Sequence, residues 1–144
     1  MSLWNYALSS ADQAPSTAPI LLHGDICHNL KAAAALGYQG LEVHTREDVQ
    51  LDYDAITKTS ADCGVSISAI VTGRLNTQGR VNLIDDRPYI SNAAIEGMRR
   101  YIKMASQLKT NLIVGWIRGV IPESEDQHHY LERLALNLTM LCKE

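Results

Sequence analysis

Residues 36–44, with the sequence LGYQGLEVH, contain the feature that most constrains the fold of this chain. An alanine-rich apolar run leads into Gly37, which can adopt the left-handed conformation that ends many helices. Only two residues separate Gly37 from Gly40, and beyond Gly40 the pattern changes from helical to alternating. A helix joined so closely to a strand is typical of α/β proteins, in which each helix packs back onto the sheet.

The strand that follows this joint carries two polar side chains on one face. Leu41 and Val43 alternate with Glu42 and His44. Parallel strands covered by helices are usually apolar on both faces, so an acid and an imidazole on the inner face favour a lined pocket. The alternative is a structural pair at the edge of a sheet.

The composition is that of a globular protein. The chain has 144 residues, 46% apolar and 20% charged, and we expect a single domain over residues 1–144. There is no apolar run of membrane-spanning length and no signal-peptide pattern in residues 1–6, so we expect a cytoplasmic protein without a membrane partner. A net charge of -3 without a basic patch argues against nucleic acid as a partner. The cysteines at 27, 63 and 142 lack CxxC spacing and are expected to be reduced, buried thiols.

The pattern predicts four strand–helix units in one parallel sheet. The predicted strands are residues 3–8, 40–45, 65–71 and 111–117. The predicted helices are residues 26–36 after Asp25, a segment from Asp52 or Asp54 to 63, a segment from about 91 to 108, and residues 126–142. Residues 9–19 and 72–88 are predicted to be loops, and residues 20–22 a short apolar anchor. In the third strand, we place the face containing Ser66, Ser68, Ile70 and Thr72 toward the inside.

Two architectures satisfy four such units: an open four-stranded sheet covered on both sides, or half of an eight-stranded βα barrel. Residues 36–44, 71–74 and 115–119 resemble, in their order and spacing, the sugar phosphate isomerase/epimerase family. Residues 18–25 resemble the segment before the first helix of that family. Its members are xylose isomerase-like TIM barrels of the AP endonuclease family 2 superfamily, and the chain resembles their N-terminal half.

The resemblance implies metal-assisted proton transfer next to a carbonyl, the reaction of an aldose–ketose isomerase or an epimerase. It implies a divalent metal held by carboxylates and a histidine of the last four strands. Those strands are not found in this sequence, so we expect this chain alone to hold no metal and the activity to be incomplete. An open half barrel leaves strand edges free, which predicts a homodimer or other homo-oligomer. The alternative is a non-catalytic α/β half barrel that binds a small anionic ligand or a complementary half.

Reactive residues of a βα barrel lie at the carboxyl ends of its strands. We therefore predict Glu42 and His44 as catalytic residues. The predicted substrate-binding residues, for a small carbohydrate or a keto acid, are Asn5, Arg46, Thr72, Arg74, Trp116 and Arg118.

Several of these assignments have a structural alternative. The three arginines can converge on an anionic substrate, or pair at the rim with Glu47, Asp48 or Asp85. His44 can move a proton or be held by Glu42. Trp116 can stack on a sugar or fill the core.

Other motifs are weaker. Adjacent residues on a helix do not share a face, so His128 and His129 favour a solvated helix start over a metal site. Residues 73–79 lack the Gly-Lys-Ser/Thr of a P-loop, and no GxSxG motif is present. An endonuclease-like role is disfavoured, because that branch of the superfamily has histidines at strand ends that correspond here to residues 72–74 and 116–118.

Overall fold

The structure, a computed structural model, describes residues 5–15, 17–123 and 126–144. Its strands are β1 (Ala7–Ala11), β2 (Leu22–His23), β3 (Gly40–His44), β4 (Ser66–Val71) and β5 (Asn111–Ile113). Its helices are α1 (Ile26–Ala35), α2 (Tyr53–Cys63), α3 (Arg74–Thr77), α4 (Pro88–Leu108) and α5 (Gln127–Leu141), with a 3₁₀ turn at Trp116–Arg118.

The strands form one parallel sheet in the order β2-β1-β3-β4-β5. Strands β1, β3, β4 and β5 begin the four expected βα units, which confirms the α/β class and the order of a half barrel. The additional strand β2 overlaps, at Leu22, the segment predicted to be an apolar anchor. It pairs with the outer edge of β1 at Ser10 and Ala11, so part of that edge is covered by the chain itself.

Capping aspartates and glycines with positive φ set the ends of α1 and α2. The Asp25 carboxylate accepts a hydrogen bond from the His28 amide at 2.8 Å and caps α1. Asp52 caps α2 in the same way. Gly37 and Gly64 follow these helices with φ of +83° and +69°, conformations in which a side chain would be strained. The predicted ends of both helices are therefore confirmed to within about a residue.

The core lies between the sheet and the helices. Leu41 and Val43 on β3 pack in one buried cluster with Leu30 of α1 and Met98 of α4. These apolar contacts supply the main driving force that holds each helix against the sheet. Because Leu41 and Val43 face the helices, the alternation of the strand turns Glu42 and His44 to the opposite, inner face, as predicted.

The prediction of which side chains of the third predicted strand, β4, point to the inner face is wrong at the carboxyl end of the strand. Ala69 pairs with Glu42 and Ile70 pairs with Val43, after a register shift between Leu41 and Glu42. A bulge of this kind opposes two residues to one and interrupts the alternation. Ile70 consequently lies in the helix-covered core, and Ala69 lies beside Glu42 on the inner face.

Several predicted boundaries also differ. The first strand ends at Ala11 rather than residue 8, and residues 3 and 4 of the prediction lie outside the described residues. The last strand ends at Ile113, and the residues after it turn. The predicted loop at 72–88 contains α3, and α4 begins at Pro88, a residue suited to the first helical position.

The three cysteines form no disulfide. Cys27 and Cys63 are half-buried and Cys142 is exposed, so the expectation of buried thiols is wrong for Cys142. Within the described part of the chain, no helix has both the length and the apolar character needed to cross a membrane.

Candidate functional site

A three-residue polar cluster lies on the inner face of the sheet, where β1 and β3 run side by side. The Ser9 hydroxyl donates a hydrogen bond to Oε1 of Glu42 at 2.8 Å, and Nε2 of His44 lies 2.9 Å from the same oxygen. Ser9 and Glu42 are direct neighbours in the parallel register. The side chains of Glu42 and His44 are 28% and 25% exposed, so the cluster is reachable from solvent.

Glu42 is the centre of this cluster. Its Oε1 contacts both the Ser9 hydroxyl and Nε2 of His44, whereas Oε2 has no hydrogen-bond partner among the described residues. The Ser9 hydroxyl donates to the carboxylate and not to the imidazole. The arrangement therefore lacks the serine–histidine contact of a serine hydrolase, and it favours a carboxylate that accepts a proton.

A second group of charges lies at the rim, just beyond the ends of these strands. The Arg74 guanidinium contacts the Asp12 carboxylate and the carbonyl oxygen of Gln13. Arg46 approaches the same carboxylate, with Nε 3.7 Å from Oδ2, and lies 3.9 Å from Asp48. Two of the three predicted arginines are thus brought together by an acidic side chain. The Arg74 side chain is only 11% exposed, and burial lowers the pKa of its guanidinium.

Sequence reasoning missed two site residues, Ser9 and Asp12. Asp12 directly follows Ala11, the last residue of β1, and its amide donates to the carbonyl of His44 at 3.3 Å. A prediction that ended the first strand at residue 8 placed Asp12 in a loop. An acidic residue at the carboxyl end of a strand is a candidate site residue in a βα barrel, but this signal can be used only when the end of the first strand is placed at residue 11.

The other predicted site residues do not join this cluster. Asn5, expected at the carboxyl end of the first strand, instead precedes β1 and lies toward the opposite end of the sheet, which corrects that prediction. The Thr72 hydroxyl is buried and donates to the carbonyl of Ile113 at 3.1 Å. Trp116 is 62% exposed, so it does not fill the core. Arg118 is exposed at the end of the 3₁₀ turn.

The sequence matches no protein-family model. It also matches no curated protein. Solved structures share its fold, among them two crystal structures that match nearly the whole chain. The AP endonuclease, family 2, from Brucella melitensis has a TM-score of 0.64 at 14% identity, covering 97% of this chain and 50% of that chain. The xylose isomerase domain protein from Planctomyces limnophilus has a TM-score of 0.60 at 18% identity, covering 96% of this chain and 48% of that chain.

The fold corresponds to half of a βα barrel. The chain spans about half the length of each of these structures, 50% and 48%, which confirms the expected resemblance at the level of the fold. At identities of 14% and 18% the likeness shows the fold alone, and the chemistry depends on the residues of this chain.

The residues of this half barrel do not fit a metal site on their own. Within residues 5–15, 17–123 and 126–144, no three His, Cys, Asp or Glu side chains come together to hold an ion. Glu42 and His44 supply two possible ligands, fewer than the three or more protein ligands of a typical catalytic site. His128 and His129 point to different acids, Glu132 at 3.2 Å and Asp86 at 3.7 Å, on a solvated helix start.

Proposed function

We propose that this chain is a sugar (phosphate) isomerase- or epimerase-like half barrel, in which Glu42 moves a proton at a carbon next to a carbonyl group. The observation that supports this most directly is the Glu42 carboxylate on the inner face, held at one oxygen by Ser9 and His44. A carboxylate with a fixed orientation and a second oxygen available suits the removal and return of a proton. The proposed substrate is a small carbohydrate or keto acid.

His44 has a supporting role in this proposal. Its Nε2 contacts Glu42, and Nδ1 has no hydrogen-bond partner among the described residues, so that nitrogen is available to a substrate hydroxyl. At the rim, Arg46 is 47% exposed, against 11% for Arg74, and is the more open of these two arginines to a phosphate or carboxylate group. Arg74 already pairs with Asp12, so we assign it to positioning the rim.

Exchange of substrate protons with solvent tests the proposal. The chain is incubated in deuterium oxide with a panel of aldoses, ketoses, their phosphates and α-keto acids, and proton NMR follows the carbon next to the carbonyl. Glu42→Gln keeps the shape but removes the base, and we expect exchange to fall by about 100-fold or more. Glu132→Gln, an exposed position on α5, is the matched control and should exchange like the wild type. Equal exchange by wild type and Glu42→Gln would contradict the assignment.

A second candidate is a non-catalytic half barrel that binds a small anion or pairs with a complementary half, and one observation favours the pairing. Strand β5 has three residues and forms the far edge of the sheet, and exposed apolar side chains lie on and just after it. These are Ile113, Trp116 and Val120. An unpaired strand edge with apolar neighbours favours association, here with a second copy of the chain.

Size-exclusion chromatography with light scattering tests the pairing. We expect a dimer or larger homo-oligomer that Trp116→Asp weakens, because a charge would be buried at the contact. Tyr89→Asp, at an exposed aromatic on α4, is the control. A stable monomer at micromolar concentration would contradict this candidate.

A further inference from the structure

The rim beyond the ends of β1 and β3 carries charges that cancel. Two guanidinium groups, those of Arg46 and Arg74, lie beside two carboxylates, those of Asp12 and Asp48. Asp12 joins the two arginines. Its Oδ1 contacts Arg74 and accepts a hydrogen bond from the Gln13 amide at 2.7 Å, and its Oδ2 lies 3.7 Å from Nε of Arg46. A single carboxylate therefore holds both cations of this rim.

The rim adjoins the cluster around Glu42. Ala11, the residue before Asp12, is paired with His44, and the Asp12 amide donates to the His44 carbonyl at 3.3 Å. A strand rises about 3.3 Å per residue, so the strand end at His44 lies about 7 Å beyond Glu42. A substrate whose reacting carbon lies at Glu42 therefore extends toward the rim.

Few donors of this rim are open to an anion. The Arg74 side chain is 11% exposed, and its guanidinium contacts the Asp12 carboxylate and the Gln13 carbonyl oxygen. At the end of the neighbouring strand β4, the amide and the hydroxyl of Thr72 both donate to the carbonyl of Ile113. Of the two arginines, only Arg46 is half-exposed, and it has a carboxylate on either side, with Asp48 at 3.9 Å.

The charge of the substrate decides whether this rim accepts it. A phosphate ester carries a charge of about -1.5 to -2 at neutral pH, whereas a carboxylate carries one negative charge. A phosphate placed at Arg46 is attracted by one guanidinium and repelled by the carboxylates of Asp12 and Asp48. A single carboxylate matches one guanidinium, and a neutral sugar meets no repulsion at all.

We propose, on the basis of the proposed function, that Asp12 is a positioning residue that restricts the site to substrates with at most one negative charge. Asp12 acts through Arg46 and Arg74, because it occupies the guanidinium groups that would otherwise bind a phosphate. The substrate is then a free carbohydrate or a keto acid, and phosphate esters are disfavoured.

Titration with inorganic phosphate tests the rim without any need for turnover. Phosphate is added at about pH 8, where it is a dianion, and the backbone amide signals of His44 and Arg46 of the isotope-labelled chain are followed. We expect Asp12→Asn to bind phosphate about tenfold or more tightly than the wild type, because two guanidinium groups are released. Asp62→Asn makes the same change in net charge at an exposed position of α2 and should bind like the wild type. Equal phosphate binding by wild type and Asp12→Asn, or an equal gain in Asp62→Asn, would overturn the role of Asp12.

Asp48→Asn is a second variant, useful because Asp48 is 63% exposed and its replacement leaves the buried contacts in place. The amide spectrum reports whether each variant is folded. We expect Asp48→Asn to tighten phosphate binding by about threefold, less than Asp12→Asn, because water screens this carboxylate. Unchanged phosphate binding in Asp48→Asn would overturn the charge balance of the rim.

Hydrogen exchange in deuterium oxide tests the effect on the substrate. A free sugar and its phosphate ester are compared, and we expect the wild type to have a kcat/KM about tenfold or more higher for the free sugar. In Asp12→Asn this preference should fall about tenfold, through a lower KM for the ester. Equal changes in KM for both substrates, or a wild type that prefers the ester, would overturn the inference. A wild type that exchanges no substrate would contradict the proposed function, whereas the phosphate titration would still decide the role of Asp12.

Discussion

The Cβ of Ala7 on β1 lies 3.0 Å from the position that a Cβ atom would take at Gly40 on β3. The two residues are paired in the parallel register, and Ser68 approaches Gly40 from the other side, with its Cβ at 3.4 Å. The glycine at this joint is therefore required by the close approach of both neighbouring strands. Gly40, five residues after the end of α1, thus serves packing, whereas Gly37 before it serves the turn.

Gly40→Ala should destabilise the fold by about 1–3 kcal/mol, because the new methyl group forces β1 or β4 away from β3. The double variant Ala7→Gly with Gly40→Ala should recover part of this loss, since it removes the closest opposing atom. Gly73→Ala is the control, because Gly73 has helical φ and ψ and a Cβ there would meet its nearest atom, in Trp116, at 3.8 Å. Urea unfolding measures all three. A double variant no more stable than Gly40→Ala would show that Ala7 is not the limiting contact.

The ion pair before α4 gives a prediction about acid pH. The Arg87 side chain donates hydrogen bonds to both carboxylate oxygens of Asp85, which lowers the pKa of Asp85 from 3.8 to about 2. Because the pKa of Asp85 is lower in the folded chain, its ionised carboxylate stabilises the fold at pH values above the pKa of the unfolded chain. This stabilisation is lost as the pH falls from about 4 to about 2. Arg87 is 62% exposed, so water screens the pair and we expect about 1 kcal/mol.

Asp85→Asn should therefore lower the free energy of unfolding at neutral pH and match the wild type near pH 2. Asp62→Asn, at an exposed acid on α2, should show no such pH-dependent difference. Urea unfolding at several pH values compares the three proteins. If the free energy of unfolding of Asp85→Asn is lower than that of the wild type by the same amount at every pH, the loss comes from packing and not from the charge of the Asp85 carboxylate.

Tyr101 gives a prediction about alkaline pH. Its ring is fully buried and its hydroxyl donates to the carbonyl of Thr45 at 2.5 Å. Burial raises the pKa of Tyr101 above its ordinary value of 10.0. As the pH rises, the Tyr101 hydroxyl loses its proton in the unfolded chain before it does so in the folded chain. The contribution of this hydroxyl to the free energy of unfolding is therefore fully present below pH 10 and decreases above it.

Tyr101→Phe should lower the free energy of unfolding by about 1–3 kcal/mol at neutral pH, because the hydrogen bond is lost. Above pH 10 the wild type loses stability as its tyrosine titrates, whereas phenylalanine does not titrate. The difference in the free energy of unfolding between wild type and variant should therefore decrease, at most by about 1.4 kcal/mol per pH unit. Tyr89→Phe, at a tyrosine that is 70% exposed, should behave like the wild type throughout. A gap that widens with pH would contradict the buried position of the Tyr101 hydroxyl.

The features that could be predicted from the sequence are those set by neighbouring residues. The caps at Asp25 and Asp52 and the left-handed glycine at position 37 follow from local hydrogen bonding and sterics. The shared face of Glu42 and His44 follows from the two-residue period of a strand.

The features that were missed depend on residues distant in the chain. Ser9 meets Glu42 only because of the register between β1 and β3, which no local pattern encodes. The bulge that turns Ile70 toward the helices depends on the strand beside it. The pairing of β2 with β1 and the contact of Asp12 with Arg74 likewise join segments that only the folded chain brings together.

Two buried threonines give opposite predictions for the same substitution. The Thr72 hydroxyl donates to the carbonyl of Ile113 at 3.1 Å, whereas Oγ1 of Thr45 has no partner among the described residues. Thr72→Val should destabilise the fold by about 1 kcal/mol, because a buried hydrogen bond is lost. Thr45→Val should leave stability unchanged or raise it by up to about 1 kcal/mol, because an unpaired polar atom is removed from the interior. Urea unfolding compares the two variants, and a loss in Thr45→Val equal to that in Thr72→Val would show that Oγ1 of Thr45 is bonded in solution.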